Sequence, residues 1–195
     1  MARTNTKATM VFSAVKLLSE RGVHGLTIDA VLADSGAPRG SVYHHFRGGR
    51  SELLLEAARA GSAYITGILT TAVEAGDAAT ALDMFVEFWR RSLVGTDYRA
   101  GCPIAALLAG EDVPAEVREV ARTAFATWTL HLANALTAAG ATAGEADRLA
   151  SMTISSIEGA ITLCRASGTA DPLDIAAEQL RAAYARTTAY AASIA

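Results

Sequence analysis

Apolar residues recur at intervals of three and four along almost the whole chain, the spacing of a helix with one buried face. The first such run, from about Thr6 to Arg21, lays Met10, Val11, Ala14, Val15, Leu17 and Leu18 along one broad stripe. Gly22 follows where that helix should stop, with Arg21 in its last turn, and Gly25 and Leu26 complete a short connection. Thr27 stands where a cap belongs, and Asp29 falls in the positive first turn of the next helix. Ile28, Val31 and Leu32 face inward before Gly36 ends it. Pro38 then opens a third short helix, where its missing N–H costs nothing, and Val42 and Phe46 reach the core at i and i+4.

Longer helices are predicted from Arg50 to about Ala75, Ala78 to Val94, Ile104 to Ala109, Pro114 to Ala139, Glu145 to Ala166 and Pro172 to Ala191. The breaks fall at Gly76, Gly95-Thr96-Asp97, Gly101-Cys102-Pro103, Asp112-Val113-Pro114, Gly140 and Gly168 to Asp171. Asp171 before Pro172 reads as the cap of the last helix. No run alternates with period two between hairpin signals, so the pattern predicts an all-α protein of about nine helices. A three-helix N-terminal domain over residues 1–50 precedes a larger helical domain over residues 51–195.

Composition supports this reading. Hydrophobic residues make up 51% of the chain and charged residues 19%, enough to bury a core. No apolar stretch approaches the roughly 18 uncharged residues of a membrane span. Met1 to Thr9 is polar and basic, without the apolar centre of a secretory signal, which predicts a cytoplasmic protein. The two cysteines, Cys102 and Cys164, have no metal-like spacing and read as buried thiols.

Charge changes the picture only when it is resolved along the chain. The net charge is −3. Residues 1–50 hold seven basic side chains (Arg3, Lys7, Lys16, Arg21, Arg39, Arg47 and Arg50) against Glu20, Asp29 and Asp34, leaving that segment at +4. The remaining ten basic and 17 acidic residues leave the rest of the chain at −7. A basic head on an acidic body is the asymmetry expected when one end meets phosphate.

Two short helices joined at Gly36 make a helix-turn-helix, whose second helix enters the major groove. Packing takes Val42 and Phe46, which turns Arg39, Gly40, Ser41, Tyr43, His44 and His45 outward. Arg39 supplies charge at the end that enters the groove, and Gly40 removes a side chain where the backbone approaches the duplex. Ser41, Tyr43 and His44 are donors for phosphate or base edges, and Arg50 adds a phosphate contact beside its own helix N-terminus. A metal at His44-His45 is disfavoured, because adjacent helical residues point about 100° apart and no third ligand is near. No metal or organic cofactor is expected. Enzymatic chemistry lacks its ingredients too: there is no glycine-rich phosphate loop, no HExxH and no nucleophile elbow.

Thr27, the Gly36-Ala-Pro-Arg-Gly-Ser run, Tyr43-His44-His45-Phe46, Arg50 and Leu53 together resemble the DNA-binding domain of TetR-family regulators. The resemblance implies that Thr27, Arg39, Gly40, Ser41, Tyr43, His44 and Arg50 lie at the DNA surface. It departs at Arg50, where the family usually carries Lys, and at the Gly48-Gly49 pair before it. Ala100 to Glu111, with its Gly-Cys-Pro, is similar to a signature of the LmrA/YxaF-like branch. The family plan implies a homodimer whose C-terminal domain binds a small molecule, and double-stranded DNA as the other partner. Phe85, Phe88, Trp89, Cys102, Phe125, Trp128, His131 and Met152 are candidates for an apolar effector site, with His131 as its polar anchor. The same aromatic stripe also reads as ordinary core. The last two long helices carry small residues (Ala150, Ser151, Ser155, Gly159 and Ala160) suited to a four-helix dimer interface. A repressor released by its effector is the function this implies; an activator or a ligand-independent DNA-binding protein remains open.

Overall fold

A computed structural model describes the backbone of residues 6–194 and the side chains of residues 6–187. Arg3, counted above in the basic head, lies outside the described residues. The order is α1 (Thr6–Gly25), α2 (Ile28–Ser35), α3 (Gly40–His45), α4 (Gly49–Glu74), α5 (Ala78–Gly95), α6 (Pro103–Ala109), α7 (Ala115–Ala138), α8 (Ala143–Ser167) and α9 (Asp171–Ile194). No strand occurs among the described residues, and no helix there is long and apolar enough to cross a membrane.

The helices gather into two compact units. The described residues up to Tyr64 join Cys102–Thr123 in the first; Ile65–Gly101 and the chain from Ala124 onward form the second. Packing thus groups more than residues 1–50 around the helix-turn-helix, adding the first half of α4, all of α6 and the start of α7.

In the first unit, Met10, Leu18, Val31, Val42 and Phe46 are fully buried, and α6 contributes Ile104 and Leu107 to the same interior. Gly22 breaks the helical path of α1 with φ 68° and ψ −171°, so the regular helix ends where its glycine predicts. Lys16 on α1 reaches Asp34 on α2 at 2.6 Å. That hydrogen bond from Lys16 is the main reason the Asp34 carboxyl sits below the usual carboxylate range.

In the second unit, α5 buries Leu82, Phe85, Val86, Trp89 and Leu93 and packs against α8 and α9. Arg90 grips both carboxylate oxygens of Asp174, and Arg181 donates to Asp83 at 2.6 Å, so two ion pairs tie α5 to α9. Between α8 and α9, the buried Tyr184 hydroxyl lies 3.1 Å from Thr153 Oγ1, which itself donates to the Leu149 carbonyl at 2.8 Å. Thr153 has given its one hydrogen to Leu149, which leaves its oxygen to accept from the Tyr184 phenol, and burial raises the pKa of that phenol above its ordinary value.

Helix ends follow capping chemistry. Asp77 caps α5 through the Thr80 N–H at 2.8 Å, and Thr142 and Glu145 form a reciprocal capping box at α8. The last helix differs from expectation by one residue. Asp171 is its first helical residue, and the Thr169 hydroxyl accepts from the Asp171 N–H at 3.0 Å. After α5, Asp97 and Tyr98 both adopt left-handed backbone angles, φ 52° and 56°. The Thr96 hydroxyl holds this turn, donating to the Ser92 carbonyl at 2.8 Å and accepting from the Ala100 N–H at 3.1 Å.

Candidate nucleic-acid interface and aromatic clusters

The turn between α2 and α3 is built from short-range bonds. Thr27 Oγ1 accepts from the Ala30 N–H at 3.1 Å and starts α2. Gly36 ends it in the left-handed region (φ 67°, ψ 12°), donating its N–H to the Leu32 carbonyl, and a Cβ there would be strained. Regular helix in α3 spans only Gly40–His45, shorter than the expected Pro38 to Phe46. Pro38 instead offers its carbonyl to the Ser41 N–H at 2.9 Å, and Phe46 has already left the helix at φ −133° while donating to the Val42 carbonyl.

Burying Val42 and Phe46 fixes which side of α3 looks out. Arg39, Gly40, Tyr43 and His44 are exposed, Tyr43 by 64%, while Ser41 and His45 are half-buried. Arg39 donates to Asp29 at 2.9 Å, yet their side chains are 81% and 75% exposed. An ion pair that open to water contributes little, so the guanidinium can exchange Asp29 for a phosphate or base at small cost. A Cβ built on Gly40 would meet nothing within 4 Å, and its φ is unremarkable. Nothing inside the described protein requires a glycine there.

Arg50 has a job that the sequence did not disclose. Its Nε donates to the Leu26 carbonyl at 2.8 Å and its Nη2 to the Val23 carbonyl at 2.5 Å. The side chain therefore clamps the connection between α1 and α2 with part of its guanidinium. A planar fork spans two carbonyls where an ammonium offers a single point of charge. Arg50→Gln should lower unfolding stability by about 1–3 kcal/mol, because charge-assisted bonds to two carbonyls are lost. Urea unfolding checks this; an unchanged midpoint would refute the clamp. Around it, Lys7 sits 3.0 Å from Glu56 and 5.7 Å from the centre of the Phe46 ring, and Glu52 accepts the Gly48 N–H at 2.8 Å at the start of α4.

The structure divides the aromatic candidates. On α5, Trp89 meets Phe85 and Phe88 edge-on with ring centroids 6.2 and 4.9 Å apart. On α7, Phe125 and Trp128 meet edge-on at 5.0 Å. Trp128 is fully buried and donates to the Thr66 hydroxyl at 2.8 Å, and His131 Nδ1 lies 3.4 Å from the Thr70 hydroxyl. Thr66 and Thr70 stand one turn apart on α4 and face residues three apart on α7. Neither threonine was a candidate; periodicity shows a face but not the polar atom opposite it.

Two candidates fall elsewhere. Cys102 belongs to the first unit, and its sulfur accepts the Ala105 N–H at 3.4 Å, capping α6 with Pro103 as the first helical residue. Its neighbour Gly101 leaves room for Arg165, whose guanidinium nitrogen would lie 2.9 Å from a Cβ at that position. Within the Gly-Cys-Pro signature, Cys102 and Pro103 thus have structural roles at the start of α6, whereas a Cβ at Gly101 would displace only the mobile end of the Arg165 side chain. Met152 is 44% exposed on α8, on the same side as Gly159 and Leu163. Of the small residues expected at an interface, Ser151, Ser155 and Gly159 are exposed, whereas Ala150 and Ala160 face the chain's own interior.

The model for bacterial regulatory proteins of the tetR family matches residues 13–57, and that for the C-terminal domain of LmrA/YxaF-like transcriptional regulators matches residues 78–179. An HTH-type transcriptional regulator of Mycobacterium tuberculosis is 40% identical over 178 residues, spanning 88% of this chain and 90% of its own length. YxaF, an HTH-type transcriptional regulator of Bacillus subtilis, is 28% identical over 182 residues, spanning 92% and 95%. The crystal structure of a regulatory protein TetR from Rhodobacter sphaeroides shares the fold, with TM-score 0.83 at 21% identity over 92% of this chain and 99% of that one.

Proposed function

Since the chain belongs to the TetR family of transcriptional regulators, with a C-terminal domain of the LmrA/YxaF-like kind, we propose that it represses transcription as an effector-released homodimer. Residues 1–50 read a pseudo-palindromic operator, and residues 51–195 bind the effector and dimerise. The observation that carries this is the outward side of α3, where Arg39, Tyr43 and His44 stand exposed beside a glycine that the fold does not need. Thr27 and Ser41 flank the same surface as hydroxyl donors. Arg50 contributes with the guanidinium N–H groups left over from its two carbonyls.

Two α3 helices on a dimer enter successive major grooves, roughly 34–36 Å apart. The dimer forms through α8 and α9, where Met152, Ser155, Gly159 and Leu163 share one exposed side of α8 and Ile175 is 61% exposed on α9. A second copy would cover this apolar side and let small residues bring helices close. A small apolar or aromatic effector releases DNA by binding better to the conformation that fits the operator poorly, and only that difference in affinity shifts the equilibrium.

The test is direct. Sedimentation over a range of concentrations should show a dimer, and Leu163→Glu should shift it towards monomer. A gel shift with the DNA upstream of the gene should show a complex whose affinity falls steeply with salt. A monomer at every concentration, or binding insensitive to salt, would overturn the reading.

A further inference from the structure

Arg39, at the start of α3, shares its guanidinium with Asp29, which lies ten residues earlier in the first turn of α2. The sequence accounts for Asp29 only as an acid at the positive end of a helix, yet its side chain is exposed beside the outward side of α3. A carboxylate there faces a polyanion when DNA is bound. The bond joins Nη2 of Arg39 to Oδ1 of Asp29 at 2.9 Å, and no other Arg39 nitrogen has a partner among the described residues. Whichever Nη2 hydrogen Asp29 takes, the other still lies parallel to an N–H on Nε or on Nη1. The guanidinium therefore keeps a two-pronged edge while the carboxylate balances its charge.

Guanine and phosphate respond differently to such a pair. The O6 and N7 of guanine are neutral acceptors spaced for a guanidinium fork, so the pair can take them intact. A phosphate fits the same fork but brings a second negative charge close to Asp29, and like charges at that range repel. The bond itself is weak, being open to water; the effect comes from the charge that Asp29 carries to the DNA surface.

We propose that Asp29 is a specificity-determining residue: by balancing the charge of Arg39, it directs that side chain to a guanine edge and away from phosphate. This rests on the reading of α3 as the DNA-facing helix and adds the base that Arg39 selects and the residue that makes it selective. Phosphate contacts carry no sequence information, so an arginine held back from phosphate contributes to discrimination rather than to general affinity. Asp29 acts through Arg39 and is a positioning residue.

The probes are duplexes that wild type selects from a pool of randomised sequence, and the same duplexes scrambled. A selected duplex should hold a guanine whose replacement by 7-deazaguanine, which lacks the N7 acceptor, weakens wild-type binding about tenfold. The same replacement should change Arg39→Ala binding by less than about twofold, which assigns that base to Arg39. In Asp29→Asn the 7-deazaguanine loss should shrink to about threefold or less. Its binding to scrambled duplex should tighten about tenfold, with a salt dependence steeper by about one counterion. In an Arg39→Ala background, Asp29→Asn should leave the ratio of selected to scrambled affinity unchanged. If Asp29→Asn tightens both duplexes by one factor and keeps the guanine requirement, the proposal is overturned, because Asp29 then only repels DNA. A selected site in which no guanine depends on Arg39 also overturns it, and that arm needs no Asp29 variant to fold. Either result leaves the DNA-binding reading standing. That reading falls, and the proposal with it, if wild type enriches no sequence and binds no duplex.

Discussion

Replacing Arg39 and Tyr43 together by alanine is expected to weaken operator binding by about 100-fold or more, since a well-placed side-chain contact to a base contributes about 1–3 kcal/mol. The unfolding midpoint should stay where it is. Both side chains are exposed, and the one ion pair lost, Arg39 with Asp29, is too open to water to contribute much stability. If Arg39 contacts phosphate, the dependence of affinity on salt should also become shallower by about one counterion. Gly40→Ala makes the same point from the opposite direction. A methyl group there meets nothing in the protein, and alanine is the better helix former by about 1 kcal/mol, so stability should hold or rise. Affinity should fall nevertheless, because on the proposed reading of α3 the methyl group would stand where the backbone approaches DNA. A gel shift over a salt series, run beside thermal unfolding, reads both quantities. Undiminished affinity in the double variant would remove α3 from the interface.

The second large effect belongs to the second unit. Trp128→Ala should cost about 3–5 kcal/mol of unfolding free energy, the range for removing a large buried aromatic side chain. Thr66→Val should cost about 1–3 kcal/mol, because it keeps the volume but leaves the buried indole N–H unpaired. Urea titrations at one fixed protein concentration measure both as a shift of midpoint at unaltered slope. In Trp128→Phe, which has no indole to satisfy, the further Thr66→Val change should cost less than it does in wild type. Additive losses would show that the 2.8 Å bond contributes nothing of its own.

What the sequence made legible was local. Thr27 as a cap, Gly36 as a left-handed stop, and Val42 with Phe46 as the buried pair of α3 all depend on neighbours within a few residues. Helix order and the breaks at glycine and proline follow for the same reason. The capping box of Thr142 and Glu145 was equally local and carries the usual three-residue spacing, so its signal was present. The partners of Arg50 were not legible. They are backbone carbonyls 24 and 27 residues earlier, and a carbonyl has no residue type to announce it. Trp128 and His131 were correctly placed on one face of a helix, but the register of α7 against α4 brings up Thr66 and Thr70, and no repeat within either helix encodes that register. Arg165 beside Gly101 is the same case at longer range.

The membership of the first unit bears on how this protein could be cut and rejoined. The chain leaves that unit after Tyr64, returns for Cys102–Thr123 and leaves again. Ile104 and Leu107 are fully buried, and α6 packs on α1, so part of the head's interior comes from far along the chain. A fragment ending at residue 50 or 64 would expose apolar faces of α1 that the whole chain covers. Swapping operator preference between relatives by exchanging N-terminal segments would pair one protein's α1 with another's α6. A chimera that also carries residues 102–123 keeps the native partners together. Substitution confined to the outward positions of α3 avoids the junction altogether.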